Sequence, residues 1–248
     1  MQLSLNPSLC PSFRLTEFLQ LAKEAGFSAV ELNRSEGESS PIHPEVSVRM
    51  VREQLQAAGL QLTGLNIRPL TGRKADSDER NLGYNLRQLE WDIHLGRALG
   101  LRTANLCGGA RTDEARADLR AGVQQLLRRI PDLSLNLGSA PNTPVQDLAD
   151  YQALIPCLDP RARVLLDTGA LLAAGEGPLR VAQVFGRRLG VVHLREVSFE
   201  GDLACEELLH HLREIGYQGV LVVALAPADK PLETARQARQ YLERILSS

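Results

Sequence analysis

Short apolar runs alternate along this chain with longer amphipathic stretches, and small turns containing glycine separate them. Between 15 and 33, an amphipathic helix pattern ends at Ala25, Gly26 and Phe27 follow, and SAVELN then has the composition of a strand. Glycine after a helix supplies a left-handed C-terminal cap, and the apolar residue beyond it anchors the turn to the core. The same order recurs after Ala58, Leu99, Leu189 and Ile215. The pattern predicts repeated units of helix, turn and strand.

This alternation predicts eight strands, each with a following helix. The strands are expected at 2–6, 28–33, 61–67, 102–107, 133–137, 163–167, 190–194 and 219–225, and the helices at 15–25, 46–58, 79–99, 112–129, 144–156, 178–187, 203–215 and 231–246. The strands are near-continuous apolar runs, which is typical of parallel strands covered by helices. Eight such units in about 250 residues indicate a single α/β domain over residues 1–248, a (β/α)8 TIM barrel.

A doubly wound open sheet is the alternative fold. It is weakened because no GxGxxG motif opens the first unit. The third helix shows the clearest periodicity, with Leu86, Leu89 and Ile93 on one face, and with Glu90 and Asp92 expected on the polar face.

Composition and charge exclude several classes of function. The chain has 248 residues, 44% hydrophobic content and a net charge of −2, so no strong field favours nucleic acid or an anionic membrane as a partner. No apolar run approaches the ~20 residues needed to span a bilayer, and MQLSLNPS lacks the pattern of a signal peptide. The four cysteines contain no CxxC pair and fit free thiols in a reducing compartment. We therefore expect a cytoplasmic location.

Two apolar runs each end on a chemically potent side chain. VLLDTGA, over 164–170, contains Asp167, and VVHLREVS, over 191–198, contains His193. A carboxylate or an imidazole is costly to bury without a partner, so two of them at the same end of consecutive strands suggest a site. In a TIM barrel, chemistry is located at the carboxyl ends of the strands.

Neutral polar residues occupy the ends of other predicted strands. They are Asn6, Asn33, Asn66, Asn105 and Asn136. Each asparagine alone fits plain turn chemistry. Five at equivalent positions instead suit a polyhydroxylated ligand such as a sugar, and we name Asn66, Asn105 and Asn136 as candidate ligand-binding residues.

Charged residues near the strand ends extend this candidate site. Glu31 is expected to face the barrel interior or its mouth, where a buried carboxylate needs a partner such as an arginine from another loop. Arg195 is a further candidate for ligand binding. Arg68 and Arg73 lie in the long loop 68–78, which is equally consistent with a mobile lid and with a solvated surface loop.

The chain resembles the xylose isomerase-like TIM-barrel superfamily, a group of sugar and sugar-phosphate isomerases and epimerases that also contains endonuclease IV. The resemblance covers essentially the whole chain. Its carriers are LTEFLQLAKEAGFSAVELN (15–33), VREQLQAAGLQLTGLNI (51–67), DERNLGYNLRQLEWDIHLGRALGLRTANLCGG (78–109), VLLDTGA (164–170) and VVHLRE (191–196). It implies the barrel fold, whereas the superfamily hosts many reactions.

In epimerase-type members of this superfamily, one divalent metal is held by a Glu on strand five, an Asp on strand six, a His on strand seven and a Glu on strand eight. The two glutamates are also the acid/base pair, and a further His three residues after the Asp contacts substrate. The resemblance places the Asp at Asp167 and the His at His193. It places Asn136 and Ala224 at the two glutamates, and Ala170 at the substrate His.

Two of the four metal ligands and both acid/base glutamates are thus replaced. Asparagine is a weak neutral ligand and alanine offers none, so the expected cofactor is none or a weakly bound divalent metal. No local shift of the alignment restores the pair, since the nearest acids are Asp132, Asp229 and Glu233, all outside the strand ends in question.

Two hypotheses for function follow. The first is an isomerase- or epimerase-like enzyme for a keto-sugar or its phosphate, in which His193 acts as a general base oriented by Asp167, with Glu196 nearby. The second is a non-catalytic carbohydrate-binding or regulatory relative. An endonuclease IV-like activity is rejected, because the chain has only five histidines and a near-neutral charge. Members of the superfamily are often dimers or tetramers, so a homo-oligomer is one option that the sequence leaves open.

Overall fold

Eight parallel strands form a closed barrel. The computed structural model describes residues 1–34, 37–42, 47–71, 80–195 and 203–247, with the backbone alone described for Arg80, Asn81 and Leu203. Each strand pairs with the next along the chain, and the last pairs with the first. The strands are β1 (Gln2–Leu5), β2 (Ala29–Asn33), β3 (Gln61–Asn66), β4 (Thr103–Cys107), β5 (Ser134–Gly138), β6 (Ala162–Asp167), β7 (Leu189–Leu194) and β8 (Val220–Val223). The predicted TIM barrel is confirmed.

Helices follow the strands and cover the outside of the barrel. Within the described ranges they are α1 (Leu15–Glu24), α2 (Val48–Ala58), α3 (Arg80–Ala98), α4 (Asp113–Arg129), α5 (Leu148–Leu154), α6 (Thr168–Ala173), α7 (Pro178–Phe185), α8 (Leu203–Glu214) and α9 (Pro231–Ser247). Each predicted helix is present, although α5 is shorter than expected. The short helix α6 was not predicted. In the part of the chain that is described, no helix is both long and apolar enough to cross a membrane.

Capping residues set the ends of several helices and thereby orient the strands next to them. The Ser47 hydroxyl accepts a hydrogen bond from the Met50 backbone at the start of α2, and Thr112 caps α4 in the same way. Gly59 ends α2 in the left-handed region at φ 70°, where a side chain would be strained. These residues are the start and stop signals from which the sequence predicts the alternation of helices and strands.

One prediction about α3 was wrong. Leu86, Leu89 and Ile93 are buried as expected, but Asp92 is also buried, with only 1% of its surface exposed. Its carboxylate binds Arg34 at 2.8 Å and Arg68 at 2.9 Å, two residues that follow β2 and β3. Asp92 therefore lies under two arginines that shield it, and not on a solvated face. Arg68 is held by this contact, which ties the start of its loop to α3.

The barrel interior is divided into an apolar part and a polar part. The main core lies between strands and helices, and a separate small apolar cluster on the last three strands consists of Leu165, Val191, Val222 and Ala224. The interior of the first five strands carries polar side chains instead. Ser4 and Thr63 share a hydrogen bond of 2.8 Å between their hydroxyls, and Asn105 and Asn136 are buried. The candidate site lies where these two parts meet.

Candidate functional site

Glu31 is the centre of the polar part of the interior. Its carboxylate is fully buried and accepts four hydrogen bonds, two on each oxygen. Oε2 accepts from the side-chain amides of Asn6 and Asn66, each at 2.8 Å. Oε1 accepts from Asn105 at 2.6 Å and from His193 Nε2 at 3.1 Å. The sequence suggested a partner such as an arginine from a loop; among the described residues, the partners of Glu31 are an imidazole and three amides.

The strand-end asparagines bind one another as well as Glu31. Asn66 donates to Asn33 Oδ1 at 2.7 Å, Asn105 donates to Asn66 Oδ1 at 2.9 Å, and Asn136 donates to Asn105 Oδ1 at 2.8 Å. This amide ladder follows the register of adjacent strands, in which Asn33 pairs with Asn66, Asn66 with Asn105, and Asn105 with Asn136. The amides therefore solvate a buried carboxylate as well as facing the mouth.

His193 lies between two carboxylates. Its Nε2 contacts Glu31, and its Nδ1 lies 3.7 Å from Asp167 Oδ2. Burial by itself lowers the pKa of an imidazole, but the charge of Glu31 and the contacts with both carboxylates outweigh it and raise the pKa of His193 to about 9. The side chain is therefore an imidazolium at neutral pH, with both ring nitrogens directed at acids.

Asp167 has a structural and an electrostatic role at the end of β6. Its Oδ1 accepts a hydrogen bond of 3.0 Å from the Ala170 backbone and so caps α6. Its Oδ2 accepts from Arg195 Nε at 2.7 Å. Burial would raise the pKa of Asp167, yet His193 and Arg195 together lower it. Asp167 is thus an ionised carboxylate that links two cations.

A pocket of about 570 Å³ opens above these residues at the carboxyl ends of the strands. Its polar lining includes Asn33, Asn66, Asn105, Asp167, His193 and Arg195, together with Ser139 and Thr143. Of the predicted site residues, Glu31 and Asn136 do not reach it: Glu31 lies beneath the floor, and Asn136 donates to Asn105 and Thr103. Glu196 and Arg73 lie outside the described residues.

Two contributors to the site were not among the predicted ligand-binding residues, although Asn33 was named as one of the strand-end asparagines. Asn33 lines the pocket, and its place two residues after Glu31 on one strand was the available signal, because alternate residues share a face. The Thr168 hydroxyl donates to the Arg195 carbonyl at 2.6 Å and accepts from the Arg195 backbone at 2.8 Å. This pair of contacts joins the ends of β6 and β7. Nothing in the sequence pattern distinguishes Thr168 from an ordinary turn residue.

The described residues keep two of the four side chains that the family resemblance implies for a divalent metal, Asp167 and His193. Among the described residues, no group of three or more His, Cys, Asp or Glu side chains is arranged to hold a metal ion. Asn136 points its amide into the ladder, and Ala224 belongs to the inner apolar cluster. Both ring nitrogens of His193 are directed at carboxylates, at 3.1 Å from Glu31 and at 3.7 Å from Asp167. The described part of the chain therefore supplies fewer ligands than a tight divalent site requires.

Metal analysis tests this conclusion. We expect protein dialysed against Mn²⁺, Co²⁺ or Zn²⁺ and then against buffer to retain well under one equivalent by mass spectrometry, because one carboxylate and one imidazole fall short of a tight site. Asp167→Asn should leave the retained amount unchanged. One tightly held equivalent that disappears in Asp167→Asn would show that the donor set is complete after all.

The whole barrel matches one protein family. Residues 19–245 match the sequence profile of the xylose isomerase-like TIM barrel family. The chain belongs to this family. A protein of Streptomyces coelicolor, provisionally named a hydroxypyruvate isomerase, is 27% identical over an alignment of 240 residues that covers 85% of this chain and 85% of the relative.

Solved structures of sugar epimerases share the fold of this xylose isomerase-like barrel. A D-psicose 3-epimerase determined in the presence of D-fructose superposes with a TM-score of 0.82 at 18% identity and covers 100% of both chains. The D-allulose 3-epimerase of a Methylomonas species, in complex with D-allulose, gives a TM-score of 0.79 at 17% identity and covers 98% of this chain and 96% of the epimerase. At these identities the likeness establishes the fold.

Proposed function

We propose that this chain binds a small polyhydroxylated, sugar-like ligand in the mouth pocket without the metal-centred proton transfer of the epimerases. The observation that supports it is the lining of the pocket. Asn33, Asn66 and Asn105 present neutral amides beside the Asp167–Arg195 ion pair. Amides both donate to and accept from hydroxyl groups, and about 570 Å³ lies within the range for small-molecule sites.

The buried charges favour binding over catalysis. Both oxygens of Glu31 are saturated by donors, and both nitrogens of His193 are directed at carboxylates. Epimerisation needs groups that take a proton from carbon on one face and return it on the other. Glu31, beneath the floor, and His193, in the lining, instead neutralise each other. The relatives named as hydroxypyruvate isomerase and sugar epimerases support an oxygen-rich ligand of similar size.

A metal-free isomerase is the second candidate, and one observation favours it. Three groups beneath or beside one pocket have displaced pKa values: His193 is raised to about 9, while Glu31 and Asp167 are lowered. Such clusters occur at catalytic sites as well as in structural networks. In this candidate His193 supplies a proton as a general acid, and Glu196 is retained as a candidate catalytic residue.

The proposal includes the cellular location of the protein. All four cysteines lie within the described ranges and form no disulfide, which supports a reducing, cytoplasmic environment.

Calorimetry with a panel of ligands tests the binding proposal. D-fructose, D-psicose, D-xylose, hydroxypyruvate and fructose 6-phosphate are titrated into protein in the presence of EDTA. We expect at least one of these ligands to bind. Arg195→Gln should raise the dissociation constant of that ligand about tenfold, since a charge-assisted hydrogen bond contributes roughly 1.5–3 kcal/mol. Arg120→Gln, which removes an exposed charge from α4, is the matched control and should leave binding unchanged. Binding seen only with added metal would overturn the proposal.

The same ligands distinguish the two candidates. Each is incubated with protein and EDTA in D₂O, and proton NMR follows both product formation and loss of the proton next to the carbonyl. Turnover that disappears in His193→Gln supports the metal-free isomerase. Binding with neither exchange nor product supports the non-catalytic relative.

A further inference from the structure

The opposite, amino-terminal end of the barrel contains a second polar cavity. It has a volume of about 250 Å³ and extends from Glu31, Asn105 and Asn136 at its buried end to Arg102 and Arg163 at its exposed end. A larger cavity of about 840 Å³ shares Arg163 and Gly190 with it, so the two lie side by side. Nothing in the proposed function of the mouth pocket accounts for this space.

Two glycines keep the inner cavity open. The interior of a TIM barrel is normally filled by layers of branched side chains. Here Gly64 and Gly190 line the cavity. A Cβ on Gly64 would lie 2.9 Å from Glu31 Oε1, and one on Gly190 would collide with the side-chain oxygen of Asn136. Glu31 and the amide ladder thus exclude side chains at positions 64 and 190, and the space below the ladder stays empty of protein atoms.

The walls of the two cavities carry positive charge. Arg102, Arg163 and Arg187 are exposed, and their guanidinium groups have no hydrogen bond or ion pair to any of the residues that the structure describes. Arg188 is engaged with backbone, donating to the Ala162 carbonyl at 2.6 Å. Among the described lining residues of both cavities, Glu31 is the single acid, and His193 offsets its charge. The entrance therefore has an excess of cationic donors.

We propose that Arg102 and Arg163 form a binding site for a phosphate-type oxyanion at the entrance of this lower cavity. Guanidinium groups present paired donors that match the oxygens of phosphate. The hydroxyls of Thr103 and Ser134 line the cavity between the two arginines in strand order and supply further donors. The larger cavity leaves room for the rest of a phosphorylated molecule.

Titration with inorganic phosphate at constant ionic strength tests this site. We expect one saturable binding event by calorimetry. Sodium chloride is adjusted at each step to keep the ionic strength constant, so that general screening does not change during the titration. Arg163→Gln and Arg102→Gln should each raise the dissociation constant for phosphate about tenfold or more. Both arginines are exposed, so these variants are expected to fold, which thermal unfolding followed by circular dichroism verifies.

Two control variants make the result specific. Arg120→Gln on α4 removes one positive charge elsewhere on the surface and should bind phosphate like the unmodified protein. Arg195→Gln alters the mouth pocket and should also leave phosphate binding unchanged. No saturable binding, or phosphate binding that survives Arg163→Gln and is lost in Arg195→Gln, would overturn the proposal. The latter result would place the anion in the mouth pocket.

Discussion

Replacing Glu31 with glutamine is expected to lower the free energy of unfolding at pH 7 by roughly 3–5 kcal/mol, the cost typical of removing one partner from a buried ion pair. The change leaves the imidazolium of His193 buried beside a neutral amide. It also places an NH₂ group where the carboxylate accepted from Asn6, Asn66 and Asn105. Urea unfolding followed by circular dichroism measures the loss.

A surface carboxylate provides the control for this variant. Glu53 pairs with Arg49 at 2.7 Å on the exposed side of α2, and Glu53→Gln should change the free energy of unfolding by less than about 1 kcal/mol. In the double variant Glu31→Gln/His193→Gln no buried charge remains on this pair, so part of the loss should be recovered. If Glu31→Gln and Glu53→Gln were equally stable, the Glu31–His193 pair would not stabilise the fold.

Raising the pH from 6.5 to 9 is expected to remove about 3 kcal/mol of stability through His193 alone. The pKa of His193 in the folded state, about 9, lies above its ordinary value of 6.5. A group with a raised pKa contributes fully below its unfolded pKa, and the contribution disappears as the pH rises through the folded pKa. The pKa values of Glu31 and Asp167 are lowered, so these carboxylates affect stability at low pH. There, protonation of the two carboxylates lowers the free energy of unfolding.

Urea titrations at intervals between pH 6 and 9 measure this dependence. In His193→Gln the curve should be nearly flat over that range, although the variant is less stable throughout. The range stops at pH 9 because burial raises the pKa of the Cys10 thiol to about 11, and this thiol adds its own loss of stability above pH 9. Parallel curves for the two proteins would show that His193 is not the group that titrates.

The barrel and the position of the pocket were predictable from local signals. Glycine after each helix and apolar strands of regular spacing predicted the units, and the resemblance placed Asp167 and His193 on neighbouring strands. The structure pairs these two residues directly in the register of β6 and β7. Both predictions depend on patterns that extend over a few residues or over one repeated unit. Such patterns can be recognised in the sequence without knowledge of the tertiary structure.

The partners of the buried charges were not predictable in this way. Glu31 and His193 are 162 positions apart and meet only because the closed barrel brings β2 and β7 to face each other across its interior. Asp92 looked like a surface acid, since periodicity alone does not reveal that two arginines from neighbouring strand ends cover it. The helix α6 (Thr168–Ala173) was missed because its six residues are fewer than two turns, too few for a helical period to show in the sequence.

The division of the barrel interior restricts where acidic side chains can be placed in this protein. A glutamate at position 224 would place a carboxylate in the cluster of Leu165, Val191 and Val222, and burying a charge among apolar side chains is costly. A glutamate at 136 would bring a second carboxylate toward the Asn105 amide that already serves Glu31. Each single substitution is therefore expected to destabilise the fold, so the interior tolerates these two acids only together with changes in the residues that surround them.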